Sequence, residues 1–195
     1  VLLLAMLGTP LARKLGLRLN VIDQPDPTRK VHTVPTPRLG GLAILSSTLI
    51  ITLLVGRLYN INQLTGVLVG ATLISLLGLW DDRISLNAWI KLAGQLFMAG
   101  LLIVTGVRVH VLPWDGLNYI VTLFWLVGIT NALNFLDNMD GLSGGVAAIA
   151  AGHFALMCAF SGQYLVGALS IAVMAACIRF LIYNWNPATI FMGDS

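Results

Sequence analysis

Long uncharged apolar runs constrain the fold of this chain more than any other feature of its sequence. The longest run, Gly141–Ile178, has 38 residues, and others are Leu39–Gly56, Leu64–Trp80 and Gly116–Leu136. A helix crosses the ~30 Å core of a bilayer with about 20 such residues. Charged residues make up only 10% of the chain, against about 25% in a soluble domain. We therefore predict an all-α protein, a polytopic bundle of transmembrane helices.

The runs predict about seven spans in one integral-membrane domain that covers residues 1–195. The 38-residue run is too long for one crossing, and Ser161–Tyr164 is the natural break in it. The chain is expected to be truncated at both ends, with its first eight residues as the remainder of a first helix. The predicted spans are 1–8 (partial), 39–56, 64–80, 87–106, 116–136, 142–160 and 164–183.

The charged residues between the spans predict the orientation. Alternating the spans across the membrane puts nine Lys and Arg residues on one side and only Arg57 and Arg108 on the other. Basic residues of this kind concentrate in cytoplasmic loops, so they indicate a bilayer and not a nucleic acid as the partner. Seven of the eight Asp residues fall on the same side, and the chain has no Glu. The preference of Lys and Arg for cytoplasmic loops does not explain the position of the Asp residues. We therefore expect the Asp residues to share a site at the cytoplasmic face.

Four polar residues at steps of three lie at the end of one uncharged run: Asn131, Asn134, Asp137 and Asp140. Amides and carboxylates supply the oxygen ligands and hydrogen-bonding groups that a metal ion or a nucleotide needs. Steps of three drift by about 60° each around a helix, so the helix is expected to loosen near Asp137. The alternative is a helix-capping loop in which Asp140 is the N-cap of the next span.

Further candidate residues lie at the same predicted side. Asp81 and Asp82 end a span, and one of two adjacent carboxylates can serve as a general base, although a solvated pair is the alternative. Lys91 can hold a phosphate or anchor its helix at the membrane interface. Asp194 follows a glycine in a polar turn, which by itself is weak evidence for a site.

The loop before the second span gathers the basic residues Arg29, Lys30, His32 and Arg38. Pro35 and Pro37 stiffen this loop, and cations on a stiff backbone suit phosphate or anionic lipid headgroups. A plain juxtamembrane basic loop is equally consistent with its composition.

Together these residues favour an enzyme that joins a soluble anionic donor to a lipid acceptor. Hard oxygen ligands without a Cys or His cluster suit Mg²⁺, with Mn²⁺ as the alternative. The main rival is a transporter with a cation-binding Asp cluster. Transporters tend to hold their site near the middle of the membrane and often in repeats, whereas these acids lie at one edge and no repeat is visible.

Four ordered motifs resemble those of the polyprenyl-phosphate N-acetylhexosamine-1-phosphate transferases, glycosyltransferase family 4, over nearly the whole chain. The motifs are Arg29-Lys-x-His with Pro37-Arg-Leu-Gly-Gly41, Asp81-Asp-Arg with Lys91-Leu-x-Gly-Gln95, Asn131-x-x-Asn-x-x-Asp-x-x-Asp-Gly-Leu142, and Phe191-Met-Gly-Asp194.

The resemblance implies that a lipid phosphate attacks the β-phosphorus of a UDP-sugar and that UMP is released. It implies that Asn134 and Asp194 hold Mg²⁺. Its candidate catalytic carboxylates are Asp81, Asp82 and Asp137, of which Asp81 or Asp82 would deprotonate or position the lipid phosphate. It assigns phosphate and lipid-phosphate binding to Lys30, His32, Arg38 and Lys91, and nucleotide binding to Asn131, Asp137 and Asp140.

The resemblance further implies a multi-pass enzyme of the bacterial plasma membrane that acts on undecaprenyl phosphate and a UDP-N-acetylhexosamine. The resemblance also allows a homodimer. The peptidoglycan branch usually has Thr-Pro-Thr-Met-Gly-Gly where this chain has Thr36-Pro-Arg-Leu-Gly-Gly41, which favours UDP-N-acetylglucosamine over UDP-N-acetylmuramoyl-pentapeptide. Asn138 stands where many members have Gly. The family's later His- and Arg-rich loop and its last spans are not in this sequence, so the fragment is expected to have little or no activity.

Overall fold

The chain forms a helical bundle with one short pair of strands, as seen in a computed structural model that describes residues 2–24, 34–56 and 62–195. This confirms the prediction of an all-α helical membrane fold. The helices are α1 (Leu2–Arg18), α2 (Gly40–Gly56), α3 (Asn62–Ile84), α4 (Ala88–Val104), α5 (Asp115–Leu136), α6 (Leu142–Ser161) and α7 (Tyr164–Asn184), and the strands are β1 (Ile22–Asp23) and β2 (Thr36–Pro37).

Four helices in the described part of the chain are long and apolar enough to cross a membrane: α3, α5, α6 and α7. Helices α2 and α4 are apolar but have 17 residues each, which is about 25 Å at 1.5 Å per residue. Helix α1 carries basic residues along its second half. The number of about seven spans therefore stays a prediction.

Two helices extend more than one residue beyond their predicted ends. Helix α1 continues to Arg18 instead of ending near Gly8, because Thr9, Ala12 and Gly16 are buried at helical spacing along one side. Helix α3 continues to Ile84, so Asp81 and Asp82, which directly follow the predicted span 64–80, lie in its last turn.

The buried core lies where α1, α2 and α7 meet, close to the end of the bundle that carries the acids. Ala12, Leu39, Ala43 and Phe180 pack there together with Val21 and Ile190. Small residues allow helices to approach closely without a strong hydrophobic force between them in lipid. The chain then packs mainly in sequence order: α3 lies against α4, α4 against α5, and α6 along α7.

The strand pair joins the segment after α1 to the segment before α2. Strands β1 and β2 are antiparallel, with Ile22 opposite Pro37 and Asp23 opposite Thr36. The backbone N–H of Arg38 donates to the carbonyl of Val21 at 3.2 Å. This pairing places the start of α2 beside the polar ends of the other helices.

Candidate active site

The segment Phe191–Asp194 runs across the helix ends and brings the predicted motifs together. The N–H groups of Gly40 and Gly41 donate to the carbonyls of Phe191 (3.0 Å) and Met192 (2.8 Å), and the N–H of Phe191 donates to the carbonyl of Pro37 (2.8 Å). The first N–H groups of a helix have no partner within the helix. The start of α2 therefore uses them to hold this segment.

Two carboxylates from distant helices hold the same segment from the other side. The N–H of Gly193 donates to Oδ2 of Asp137 at 3.1 Å, and the N–H of Asp194 donates to Oδ2 of Asp82 at 2.9 Å. Asp137 lies directly after α5, which ends at Leu136 as the spacing of its polar residues led us to expect. Asp82, Asp137 and Asp194 thus meet at one place.

Lys91 joins one further carboxylate, that of Asp81, to this arrangement. Its Nζ lies 2.6 Å from Oδ2 of Asp194 and 2.9 Å from Oδ2 of Asp81. The other oxygen of Asp81 accepts the N–H of Leu86 at 2.7 Å. Both oxygens of Asp81 are therefore engaged, and Lys91 is held between carboxylates.

A cavity of about 900 Å³ opens beside these groups. Five Asp residues line it, and Arg38 is the cation among its described lining residues. Neither Asp81 nor Lys91 is among those lining residues, whereas Asp82 is. The lining residues predicted from the sequence are Arg38, Asp82, Asn134, Asp137, Asp140 and Asp194.

Arg38 is oriented by a carboxylate that sequence reasoning did not select. Its guanidinium forms an ion pair with Asp23, a buried residue of β1 that also lines the cavity. Because the chain has no Glu, each Asp on the predicted cytoplasmic side was already a candidate site residue. That pattern could have identified Asp23. Arg guanidinium groups bind phosphate in a fixed geometry, so the position of Arg38 suits an anionic substrate.

Burial shifts the protonation of Asp137. It raises the pKa of Asp137 to about 6, although the N–H groups of Gly193 and Met192 and the charge of Arg38 lower it. The nearby charge of Asp194 adds to the increase. A carboxylate of this kind is neutral in mild acid and ionised at neutral pH.

Asp140 holds the loop after α7 and does not cap α6. Its Oδ2 accepts the N–H of Ala188 at 3.0 Å and the side-chain amide of Asn186 at 3.3 Å. The N-cap of α6 is Gly141 in a left-handed conformation, without a side-chain cap bond. The capping alternative is therefore wrong, and Asp140 instead fixes part of the cavity wall.

Asn184, which sequence reasoning also missed, completes this loop. It is almost fully buried, it accepts the N–H of Gly141 at 2.9 Å, and its amide donates to the carbonyl of Ile190 at 2.9 Å. A side-chain amide at the end of an apolar span is costly unless it forms hydrogen bonds. Its occurrence there in the sequence could have identified Asn184.

Asn131 lies apart from the cavity lining. Its amide exchanges two hydrogen bonds with the buried Gln95 of α4, at 2.6 and 3.3 Å, and also donates to the carbonyl of Val127 at 2.8 Å. This pairing joins α4 to α5. Of the two Asn residues in the motif, the structure therefore places only Asn134 at the cavity. The predicted phosphate-binding residues Lys30 and His32 lie outside the described residues.

The donor set fits a hard cation. Among the described residues, no group of three or more His, Cys, Asp or Glu residues is arranged to hold a metal ion by itself. Mg²⁺, however, commonly binds through one or two carboxylates together with substrate phosphate and water. Asn134 and Asp194 both line the cavity and carry side-chain oxygens of this kind, so they are the residues that could hold such an ion.

Fold and site together define a helical membrane protein with an oxygen-rich acidic cavity at its helix ends. Residues 64–195 match the family model of glycosyl transferase family 4. The chain therefore belongs to glycosyl transferase family 4, as its motifs predicted.

Its relatives include enzymes of two kinds. The chain is 36% identical to a probable undecaprenyl-phosphate N-acetylglucosaminyl 1-phosphate transferase of Bacillus subtilis, over 100% of this chain and 56% of that protein. It is 36% identical to a decaprenyl-phosphate N-acetylglucosaminephosphotransferase of Mycobacterium leprae, over 96% and 54%. It is also 36% identical to a phospho-N-acetylmuramoyl-pentapeptide-transferase of Lactiplantibacillus plantarum, over 82% and 56%. The chain spans about half the length of the curated relatives it matches.

Proposed function

We propose that the protein transfers N-acetylglucosamine-1-phosphate from UDP-N-acetylglucosamine to undecaprenyl phosphate and releases UMP. The reaction would take place at the cytoplasmic face of the bacterial plasma membrane and begin the assembly of a lipid-linked envelope glycan. The observation that carries the proposal is the meeting of Asp82, Asp137 and Asp194 beside one cavity at the helix ends. The name of the Bacillus subtilis relative supports both this acceptor and this sugar, and the name of the Mycobacterium leprae relative supports the sugar and a polyprenyl-phosphate acceptor.

In this reaction an oxygen of the lipid phosphate forms a bond to the β-phosphorus, and the bond from that phosphorus to the bridging oxygen of UMP breaks. Phosphoryl transfer depends mostly on positioning and charge neutralisation. Mg²⁺, held by Asn134 and Asp194, would neutralise charge on the pyrophosphate. No more than these two protein ligands is required when substrate oxygens complete the coordination.

Of the adjacent pair, Asp82 is the better candidate for the carboxylate that deprotonates or positions the lipid phosphate. It lines the cavity, whereas both oxygens of Asp81 are engaged by Lys91 and by the N–H of Leu86. Asp81 and Lys91 would then act by holding Asp194 in place. This role for Lys91 differs from the direct phosphate contact that the resemblance implies.

Arg38 would bind phosphate at the other side of the cavity, held in position by Asp23. Lys30 and His32, which precede it in the chain, would bind the lipid phosphate, as the resemblance implies. Asp137 and Asp140 would lie by the nucleotide, since Asp140 shapes the wall formed by Asn186–Ala188. A homodimer remains a prediction.

The alternative donor is UDP-N-acetylmuramoyl-pentapeptide, and the similarity to a phospho-N-acetylmuramoyl-pentapeptide-transferase supports it. A transporter is disfavoured because the acids lie at helix ends around a cavity, and not in broken helices at mid-membrane.

The deciding experiment is a UMP-release assay on the complete protein in detergent with Mg²⁺, undecaprenyl phosphate and UDP-N-acetylglucosamine. We expect release that depends on the acceptor and is lost in Asp194→Ala. Release with only the muramoyl-pentapeptide donor would establish the alternative. No release with either donor would refute the proposed function.

A further inference from the structure

Gly78 lies where α3 approaches the backbone of the Phe191–Asp194 segment. A Cβ atom added at this position would overlap the carbonyl group of Asp194 and lie 2.7 Å from the backbone nitrogen of Ser195. These are backbone atoms, which cannot move aside as the end of a flexible side chain can. Any side chain at residue 78 would therefore push the segment away from α3.

The approach at Gly78 lies one helical turn before the hydrogen bond made by Asp82. Residues four apart lie on the same face of a helix, so Gly78 and Asp82 both face the segment. The N–H of Asp194 reaches Oδ2 of Asp82 at 2.9 Å, and the Asp194 carboxylate reaches Lys91 at 2.6 Å. Both distances depend on how closely α3 approaches the Phe191–Asp194 segment.

In α2, a Cβ at Gly41 would also meet the backbone of this segment, at Ser195, whereas three glycines of α3 and α4 meet different surroundings. A Cβ at Gly70, in the same helix as Gly78, would meet the side chain of Leu102 at 3.2 Å, and one at Gly100 would meet nothing within 4 Å. At Gly94 the neighbour is again a leucine side chain, that of Leu77. A methyl group at any of these three positions is therefore expected to be tolerated better than one at Gly78.

We propose that Gly78 is a positioning residue for the active site. Its missing side chain lets α3 contact the Asp194 backbone and so sets the position of Asp194 relative to the Asp82 carboxylate, which accepts its N–H. The effect on catalysis rests on the proposed function, whereas the effect on the segment itself does not.

The test compares Gly78→Ala with Gly70→Ala and Gly100→Ala in the complete protein. All three changes add the same methyl group to a helix, where alanine is favoured over glycine. We expect Gly78→Ala to lower kcat about 100-fold, since a displacement of about 1 Å can cost that much, with little change in KM for the UDP-sugar. Hydrogen–deuterium exchange should be faster in the 191–195 peptide of this variant and unchanged in the two controls.

Equal kcat and equal exchange for Gly78→Ala and Gly70→Ala would overturn the proposal. If Gly78→Ala does not fold, the unaltered protein still decides, because an Asp194 amide that exchanges without protection would mean that the close approach is absent. If the unaltered protein releases no UMP with either donor, the proposed function fails. The exchange comparison still tests Gly78 in that case.

Discussion

Replacing Asp137 by Asn is expected to stabilise the protein at neutral pH while removing its activity. Burial raises the pKa of Asp137 to about 6 from an ordinary value of 3.8. Between these two values the folded protein keeps a proton that the unfolded chain has released. The stability from this group is therefore complete below pH 3.8, is lost as the pH rises toward about 6, and stays lost above it.

The size of the effect follows from the shift. About two pH units correspond to about 3 kcal/mol at 1.36 kcal/mol per unit, and partial access of water lowers this to about 2 kcal/mol. The Asn amide oxygen can still accept the N–H of Gly193, so the variant keeps that contact. We expect the unfolding midpoint at pH 7.5 to rise by about 4–8 °C.

The measurement is the thermal unfolding midpoint of both proteins in detergent without divalent cations, at pH 7.5 and pH 4.5. The difference should shrink at the lower pH. Asp115→Asn is the matched control, because this carboxylate is mostly exposed at the other end of the bundle and its removal should change stability by about 0.5 kcal/mol at most. Equal midpoints at pH 7.5, or a difference that widens in acid, would refute the reasoning.

Three further outcomes are expected. Asp82→Asn should lower kcat for UMP release by about 100-fold or more, and Asp81→Asn should lower it less, because Asp81 acts through Lys91. Asn131→Ala should destabilise the protein by about 1–3 kcal/mol, because it leaves the buried Gln95 amide without its partner, while KM for the UDP-sugar stays unchanged. Chelation of divalent cations by EDTA should stop UMP release, and added Mg²⁺ should restore it, because hard oxygen ligands suit that ion.

Each of these outcomes has a clear contrary result. An equal loss of kcat in the two Asp variants would show that lining the cavity does not give Asp82 a larger role in the reaction than Asp81. A large increase in KM for Asn131→Ala would restore its predicted contact with the nucleotide. Full activity in the presence of EDTA would exclude a divalent cation from the reaction.

Much of the architecture follows from local sequence. An uncharged run of about 20 residues cannot leave its backbone unpaired in lipid, so it must be a helix. The ends of α5, α6 and α7 therefore fall within one residue of their predicted positions. The end of α1 does not, because its basic residues concealed a buried side formed by Thr9, Ala12 and Gly16. The ordered motifs also identified the family correctly.

The sequence by itself determined that this is a helical membrane protein whose acids gather at one edge, because hydrophobicity and spacing are local properties of the chain. Only the tertiary structure decided which of two adjacent carboxylates lines the cavity, because neighbours on a helix point about 100° apart and the packing selects one. Asp82 and Asp194 are 112 positions apart in the chain, and no local pattern encodes such a contact. For the same reason, the sequence did not predict the pairing of Asn131 with Gln95 or the close contact that Gly78 allows.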